Sequence, residues 1–291
     1  MRTLLAMLGI TIGVGAVVAV VSIGEGTQQE IDRSIEAFGT NLLLITPGQT
    51  RISAGRGQRA TTVTTLTADD AAALVEELRE VEIAVPAATK KMEMSREGVT
   101  AETLVVATTP DFQEARNFHP ARREFITDRM ERIRARDVVL GQTVVEALFA
   151  GSDPLGAKVR IGRVPFEVVG VMERKGLDIG GQDQDDQVFI PLSTGQRRLF
   201  NIAHVTTIYA KVRDVAKLET AQSEIASLLR ERHGLRDGVG DDFAVQDQSE
   251  LIAAQQQISG SFTLLLTSVG GISLLVGGVG ILAVMLMSVR E

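Results

Sequence analysis

The chain has 291 residues, 44% hydrophobic and 23% charged, with a formal net charge of −7 and no cysteine. An acidic balance without a Lys/Arg run argues against nucleic acid as a partner, and 4% aromatic residues, with no Trp and one Tyr, leave few platforms for stacked bases. The absence of cysteine excludes disulfides, Cys-ligated metal and thiol catalysis.

The first element is TLLAMLGITIGVGAVVAVVSIG, residues 3–24, which carries no charge. At about 1.5 Å per residue it reaches roughly 30 Å, the thickness of one bilayer core. It exceeds the h-region of a cleavable signal peptide, so a retained span is expected. At the other end SFTLLLTSVGGISLLVGGVGILAVMLMSV, residues 261–289, is equally uncharged. Arg2 and Arg290 flank the outer ends and Glu25 is the first charge on the loop side. The positive-inside rule then expects cytoplasmic termini and an extracytoplasmic loop domain.

Helical spacing continues past the first span to Gly39, placing Gln28, Ile31, Ile35 and Phe38 on one seam. A matching series, Leu251, Gln255, Ile258 and Phe262, leads into the second span behind a Ser249 cap. The expectation is two long helices pairing as a stalk. Gln28 and Gln255 fit either a register-setting polar pair or exposed positions on splayed helices. Gly9 and Gly13, and Gly270, Gly271, Gly277 and Gly278, are spaced for close helix packing in lipid.

Between the helices the pattern is mixed. NLLLIT (41–46) reads as a strand ended by Pro47-Gly48, and QTRISAGRGQRATT as a loop or hairpin tip. TADDAAALVEELRE is a helix capped by Thr67. VEIAVPAAT and TLVVATT are strands, and TPDFQEARNF is a short helix. HPARREFITDRMERIRARD is charged and linker-like. VVLGQTVVEALF reads strand–Gly–helix, KVRIGRVPFEVVGVME a hairpin turning at Gly162-Arg163, and QVFIPLSTGQRRLF a strand then a helix. VTTIYAKVRD, KLETAQSEIASLLRERHG and DDFAVQD complete the series as strand, helix, strand.

The fold class expected is α+β: a membrane protein with two long transmembrane and stalk helices and a two-part mixed α/β extracytoplasmic domain. Residues 1–39 form the first span and stalk, and 249–291 the second. Residues 40–118 and 204–248 form one discontinuous subdomain, and 119–203 an inserted second one.

Chemistry is sparse. No G-x-x-x-x-G-K-[ST] phosphate loop occurs, and GGVG lies inside a span rather than at a strand–helix turn. Asp183, Asp185 and Asp186 in GQDQDDQ lack the ordered spacing of a calcium loop, and a solvated loop is expected there. His119, His204 and His233 are isolated, with surface or structural roles as the default. No catalytic, cofactor-binding or metal residue is assigned, and the chain is not expected to be an enzyme.

The stretches LLAMLGITIGVGAVVAVVSIGEGTQQEI, FGTNLLLITPG, VVLGQTVVEALFAGSDPLGAKVRIGRVPFEVVGVMERKG, DQDDQVFIPLSTGQRRLF and GGISLLVGGVGILAVMLMSVRE together resemble the MacB-type ABC transporter permeases of the macrolide-exporter and lipoprotein-release superfamily. The resemblance covers nearly the whole chain. It implies a permease of the inner membrane that dimerises with itself or a related permease. A porter-like periplasmic part would carry the inserted second part. ATP would be hydrolysed by a separate ABC ATPase subunit, its motion passing through the stalk to the periplasmic domain. In exporters that domain works with a periplasmic adaptor and an outer-membrane channel. The substrate class would be drug, peptide or lipid-like. The alternative is an FtsX-like regulatory protein controlling an extracytoplasmic partner such as a cell-wall hydrolase.

Two departures from the family pattern stand out. HPARREFITD has Arg123 and Glu124 where a glycine usually precedes the aromatic. The chain also lacks an ATPase domain and third and fourth spans, and the expectation is a truncated permease in which Arg290 and Glu291 begin the ATPase-coupling segment.

Overall fold

The computed structural model describes residues 41–52, 59–62, 64–177, 181–236 and 238–247, together with six isolated helical positions at 15, 268, 271, 275, 278 and 279. The chain divides into two compact units, Met1–Glu36 with Glu250–Glu291, and Ala37–Ser249. Both expected spans fall in the first unit and, apart from those six positions, lie outside the described residues. Among the described residues no helix is long and apolar enough to cross a membrane.

In the second unit β1 (Leu42–Pro47) leads into a hairpin of β2 (Gln49–Ile52) and β3 (Arg59–Thr62). Helix α1 (Ala68–Glu77) starts at a capping box: Thr67 accepts from the Asp70 backbone and the Asp70 carboxylate accepts from the Thr67 N–H. Strand β4 (Val81–Arg96) turns through Glu97-Gly98 into β5 (Val99–Thr108). Both turn residues have positive φ, 49° and 89°. That is the two-residue turn whose twist matches a right-handed hairpin. After α2 (Phe112–Ala115) come β6 (Pro120–Arg123), α3 (Asp128–Ile133), β7 (Asp137–Leu140) and α4 (Gln142–Phe149). The hairpin β8 (Lys158–Ile161) and β9 (Val164–Met172) precedes β10 (Gln187–Pro191). Helix α5 (Leu192–Thr194) continues as a π-helical turn over Gly195–Phe200. Strand β11 (Thr207–Val212), α6 (Leu218–Arg232) and β12 (Phe243–Asp247) finish the unit.

Ten strands form one sheet in the order β12-β1-β11-β4-β5-β10-β7-β9-β6, and β8 pairs with both β9 and β4. The path β4-β5-β10-β7-β9-β8 therefore closes on itself as a small barrel, with Met94 opposite Ile161 and Ser95 opposite Arg160 at the closure. The long β4–β5 hairpin is shared: β4 pairs with β11 over 81–87 and with β5 over 87–96.

Period-2 alternation sorts side chains to the two faces of the sheet. Leu43, Ile45, Ile208, Ala210 and Val212 pack with Leu74 of α1 and Ile225 and Leu229 of α6. A second cluster is aromatic: Phe112, Phe118 and Phe125 surround Phe189, with ring centroids 5.2–5.7 Å from it.

Two stretches differ from their sequence reading. The expected linker HPARREFITDRMERIRARD forms β6 and α3, because Phe125 and Ile126 in its middle are buried at 3% and 2% exposure and anchor it. Strand β4 also runs past Thr89 through KKMEMSR, where exposed Lys91 and Glu93 alternate with half-buried Met92 and fully buried Met94.

Candidate functional site

Among the described residues no group of His, Asp and Glu side chains is arranged to hold a metal ion. What the fold builds is a junction. Strands β1 and β12, which begin and end the described part of the unit, lie side by side and antiparallel, with Leu43 opposite Asp247 and Pro47 opposite Phe243. β1 pairs on its other side with β11, Leu42 opposite Lys211. Asn41 brackets the end of that strand: its carbonyl accepts from Val212 N–H at 2.8 Å, and its side-chain amide donates to the Val212 carbonyl. From α6, Gln222 Nε2 donates to the Val245 carbonyl at 2.9 Å, tying the helix layer to β12.

The opposite end of the pair is held by a buried polar knot. Arg232 Nε donates to Asp70 Oδ1 at 2.9 Å. His233 stands between two carboxylates, Nδ1 lying 2.8 Å from Asp242 Oδ1 and Nε2 3.5 Å from Asp70 Oδ2. Burial alone would raise the Asp70 pKa. Hydrogen bonds from Thr67 and Arg232, with His233 nearby, reverse this and hold it below the usual carboxylate value. Asp242 also accepts at its carbonyl from Gly48 N–H at 2.7 Å. A Cβ at Gly48 would come within 2.7 Å of the Asp242 carbonyl carbon, so only glycine lets the two strands approach there. The knot thus joins α1, α6, β12 and the root of the β2–β3 hairpin.

The acidic loop is only in part the solvated segment expected from GQDQDDQ: residues 181–183 are exposed, but Gln184 and Asp185 are buried. Asp185 is buried at 2% exposure and accepts from the backbone N–H groups of Lys175 and Gly176, both at 2.9 Å. Asp183 accepts from Thr143 Oγ1 at 2.7 Å and from Asp185 N–H at 2.8 Å. These carboxylates accept from three backbone N–H groups and the Thr143 hydroxyl. Lys175 itself donates through Nζ to the Arg116 carbonyl at 2.9 Å and lies 5.0 Å from the Phe118 ring centre. Burial, helped by the neighbouring Arg116 charge and opposed by Glu173, lowers its pKa to about 8.

Of the residues singled out in the sequence, Gly271 and Gly278 are described: both are helical and exposed, and a Cβ on either would meet nothing within 4 Å. Gly9, Gly13, Gly270 and Gly277, the seam residues Gln28, Ile31, Ile35, Phe38, Leu251, Gln255, Ile258 and Phe262, and Arg290 and Glu291 lie outside the described residues. His119 is exposed, His204 half-buried, and His233 enclosed by the knot. Sequence reading had no signal for that knot, since Asp70 and His233 are 163 positions apart.

The family model described as MacB-like periplasmic core domain matches residues 3–228. Two relatives, each described as a macrolide export ATP-binding/permease protein MacB, align over the whole chain: one from Azoarcus sp. (strain BH72) at 37% identity and one from Rhodospirillum rubrum at 38%. The chain spans 42% and 43% of their lengths. Among solved structures, the periplasmic region of MacB from Actinobacillus actinomycetemcomitans shares the fold with a TM-score of 0.61 at 19% identity, over 77% of this chain and 97% of that one. The extracellular domain of the noncanonic ABC-type transporter YknZ from Gram-positive bacteria has a TM-score of 0.58 at 18% identity, over 71% of this chain and all of that one.

Proposed function

The chain belongs to the MacB-like periplasmic core domain family, and from that premise we propose that it is the permease part of an ABC-type export system, acting by mechanical transmission. Residues 3–24 and 261–289 are its membrane spans, and the unit between them is extracytoplasmic. ATP is bound and hydrolysed by a separate ABC ATPase, and the cargo is a drug, peptide or lipid-like molecule. The permease pairs with a second copy or a related permease, and the extracytoplasmic unit engages an adaptor. The open part of the sheet (40–118 with 204–248) and the inserted barrel part (119–203) are its two subdomains, joined by the β4–β5 hairpin.

The observation that carries this reading is the pairing of β1 with β12. A domain driven by two stalk helices needs both attached to one rigid element, and here the first and last strands are hydrogen-bonded neighbours in a sheet that continues to the barrel. Neither strand can move without the other unless that ladder breaks.

The test is a pair of cysteines, Gln28→Cys and Gln255→Cys, in the full-length protein with its ATPase. Oxidation should stop ATP-driven export, and reduction should restore it. Export at the full rate by fully crosslinked protein would sink the mechanical reading.

A further inference from the structure

Helix α3 is anomalous for its size. Six residues are too few for a stable helix in isolation, yet none of them is buried. Polar bonds to α5 hold it: Ser193 N–H donates to Glu131 Oε1 at 2.9 Å, Ser193 Oγ to the Glu131 carbonyl at 3.0 Å, and Thr194 Oγ1 to the Ala135 carbonyl at 2.8 Å. Glu131 is thereby turned onto α5. Arg129, Arg132 and Ile133, spaced i, i+3, i+4, share another face and are exposed. Arg134 and Arg136 follow, also exposed, and Arg134 closes the helix at a φ of 53°, where glycine is the cheaper residue. On the adjoining π-helical turn Arg197 and Arg198 are exposed too.

None of these six arginines forms an ion pair or side-chain hydrogen bond among the described residues. The acids within and beside α3 form no ion pair with them among the described residues. Asp128 lies beside Asp111, and Asp137 lies beside Glu167 and Glu124. At the centre Ile133 is 65% exposed.

We propose that the α3–α5 face is a docking surface for a protein partner, which presents clustered carboxylates around an apolar side chain that seats on Ile133. An exposed apolar side chain on a surface whose cations are all arginine is the composition of a protein interface, where Arg is enriched and Lys depleted. Residues 119–157 and 176–210 contain no lysine at all. The guanidinium fork binds carboxylate in two parallel hydrogen bonds, which a lysine cannot match. A lipid surface fits less well, because α3 is far too short to lie in an interface and exposes no aromatic anchor. The helix is also held in place beforehand, which lowers the ordering cost of binding. This inference does not depend on the export reading.

The test places p-benzoylphenylalanine at position 133 of the full-length protein in cells that express it natively, with the crosslinked peptide sequenced. The expected product is one protein, joined through a segment rich in Asp and Glu. Reversing Arg129→Glu, Arg132→Glu and Arg134→Glu should cut the yield about tenfold, while the corresponding Lys variants, which fold alike and keep the charge, should retain most of it. Placing Lys at the partner's crosslinked acids should restore the yield with the reversed variant. Crosslinking to phospholipid, no crosslink, or a yield unchanged by charge reversal would each overturn the proposal.

Discussion

Leu43 lies directly opposite Asp247, although 204 positions separate them, so the strands that lead out to the two terminal segments are neighbours in one ladder. Asn41 extends that ladder sideways by closing on Val212 with two hydrogen bonds. Replacing Asn41→Ala removes the side-chain bond and should cost about 1 kcal/mol. Amide exchange at Val212 and along β11 should speed up, while α4 and the barrel strands keep their protection. Uniform loss of protection would mean that Asn41 is a general stability residue and not a local clamp.

The knot around His233 predicts a response to acid. Asp70 has a lowered pKa in the fold, so it contributes stability above its unfolded value near 4, and this is lost as pH falls through the folded value. Asp70→Asn should destabilise the protein at neutral pH by about 1–3 kcal/mol, since Arg232 and Thr67 lose a charged acceptor. The variant should also show a shallower loss of stability as pH falls below about 4. Unfolding midpoints across that range decide it; parallel curves for the two proteins would refute the assignment.

Lys175 predicts the opposite end of the pH scale. Its pKa in the fold, about 8, lies below the ordinary lysine value of 10.5. The unfolded chain therefore binds more protons between those values, and the contribution of Lys175 to stability rises with pH through that window. In Lys175→Met this rise should disappear, and the two stability curves should converge towards pH 10.5 and above, where the lysine is neutral in both states, apart from the lost bond to the Arg116 carbonyl. Denaturant titrations from pH 7 to 10.5 measure the difference.

Arg123 sits at a φ of 61°, in the left-handed region that favours glycine. A side chain there costs roughly 1–2 kcal/mol, and glycine's extra freedom in the unfolded chain returns part of it. Arg123→Gly should therefore stabilise the protein by about 0.5 kcal/mol. A loss of stability would show that the Arg123 guanidinium makes a compensating interaction with Asp153, which it neighbours.

Much of this architecture is legible in local pattern. The alternation of KVRIGRVPFEVVGVME, the Thr67 cap and the 3.6-residue spacing of KLETAQSEIASLLRERHG each specify an element, because strand and helix periods are properties of short segments. The same locality hid HPARREFITDRMERIRARD, whose charges outnumber the two buried residues, Phe125 and Ile126, that hold it in place. It also hid the burial of Asp185 in GQDQDDQ, since the backbone donors to its carboxylate come from ten and nine residues away.

By itself the sequence determined the family, the order of most strands and helices apart from β6 and α3, and the two uncharged segments that bracket the domain. Only the tertiary structure decided that β8 closes a barrel against β4, that His233 stands between Asp70 and Asp242, and that β1 and β12 are partners. The physical reason is that periodicity records which face of an element is apolar, but not which distant element covers it. Register between strands far apart in sequence is chosen by packing both faces of the sheet at once, and no short stretch of the chain carries that information.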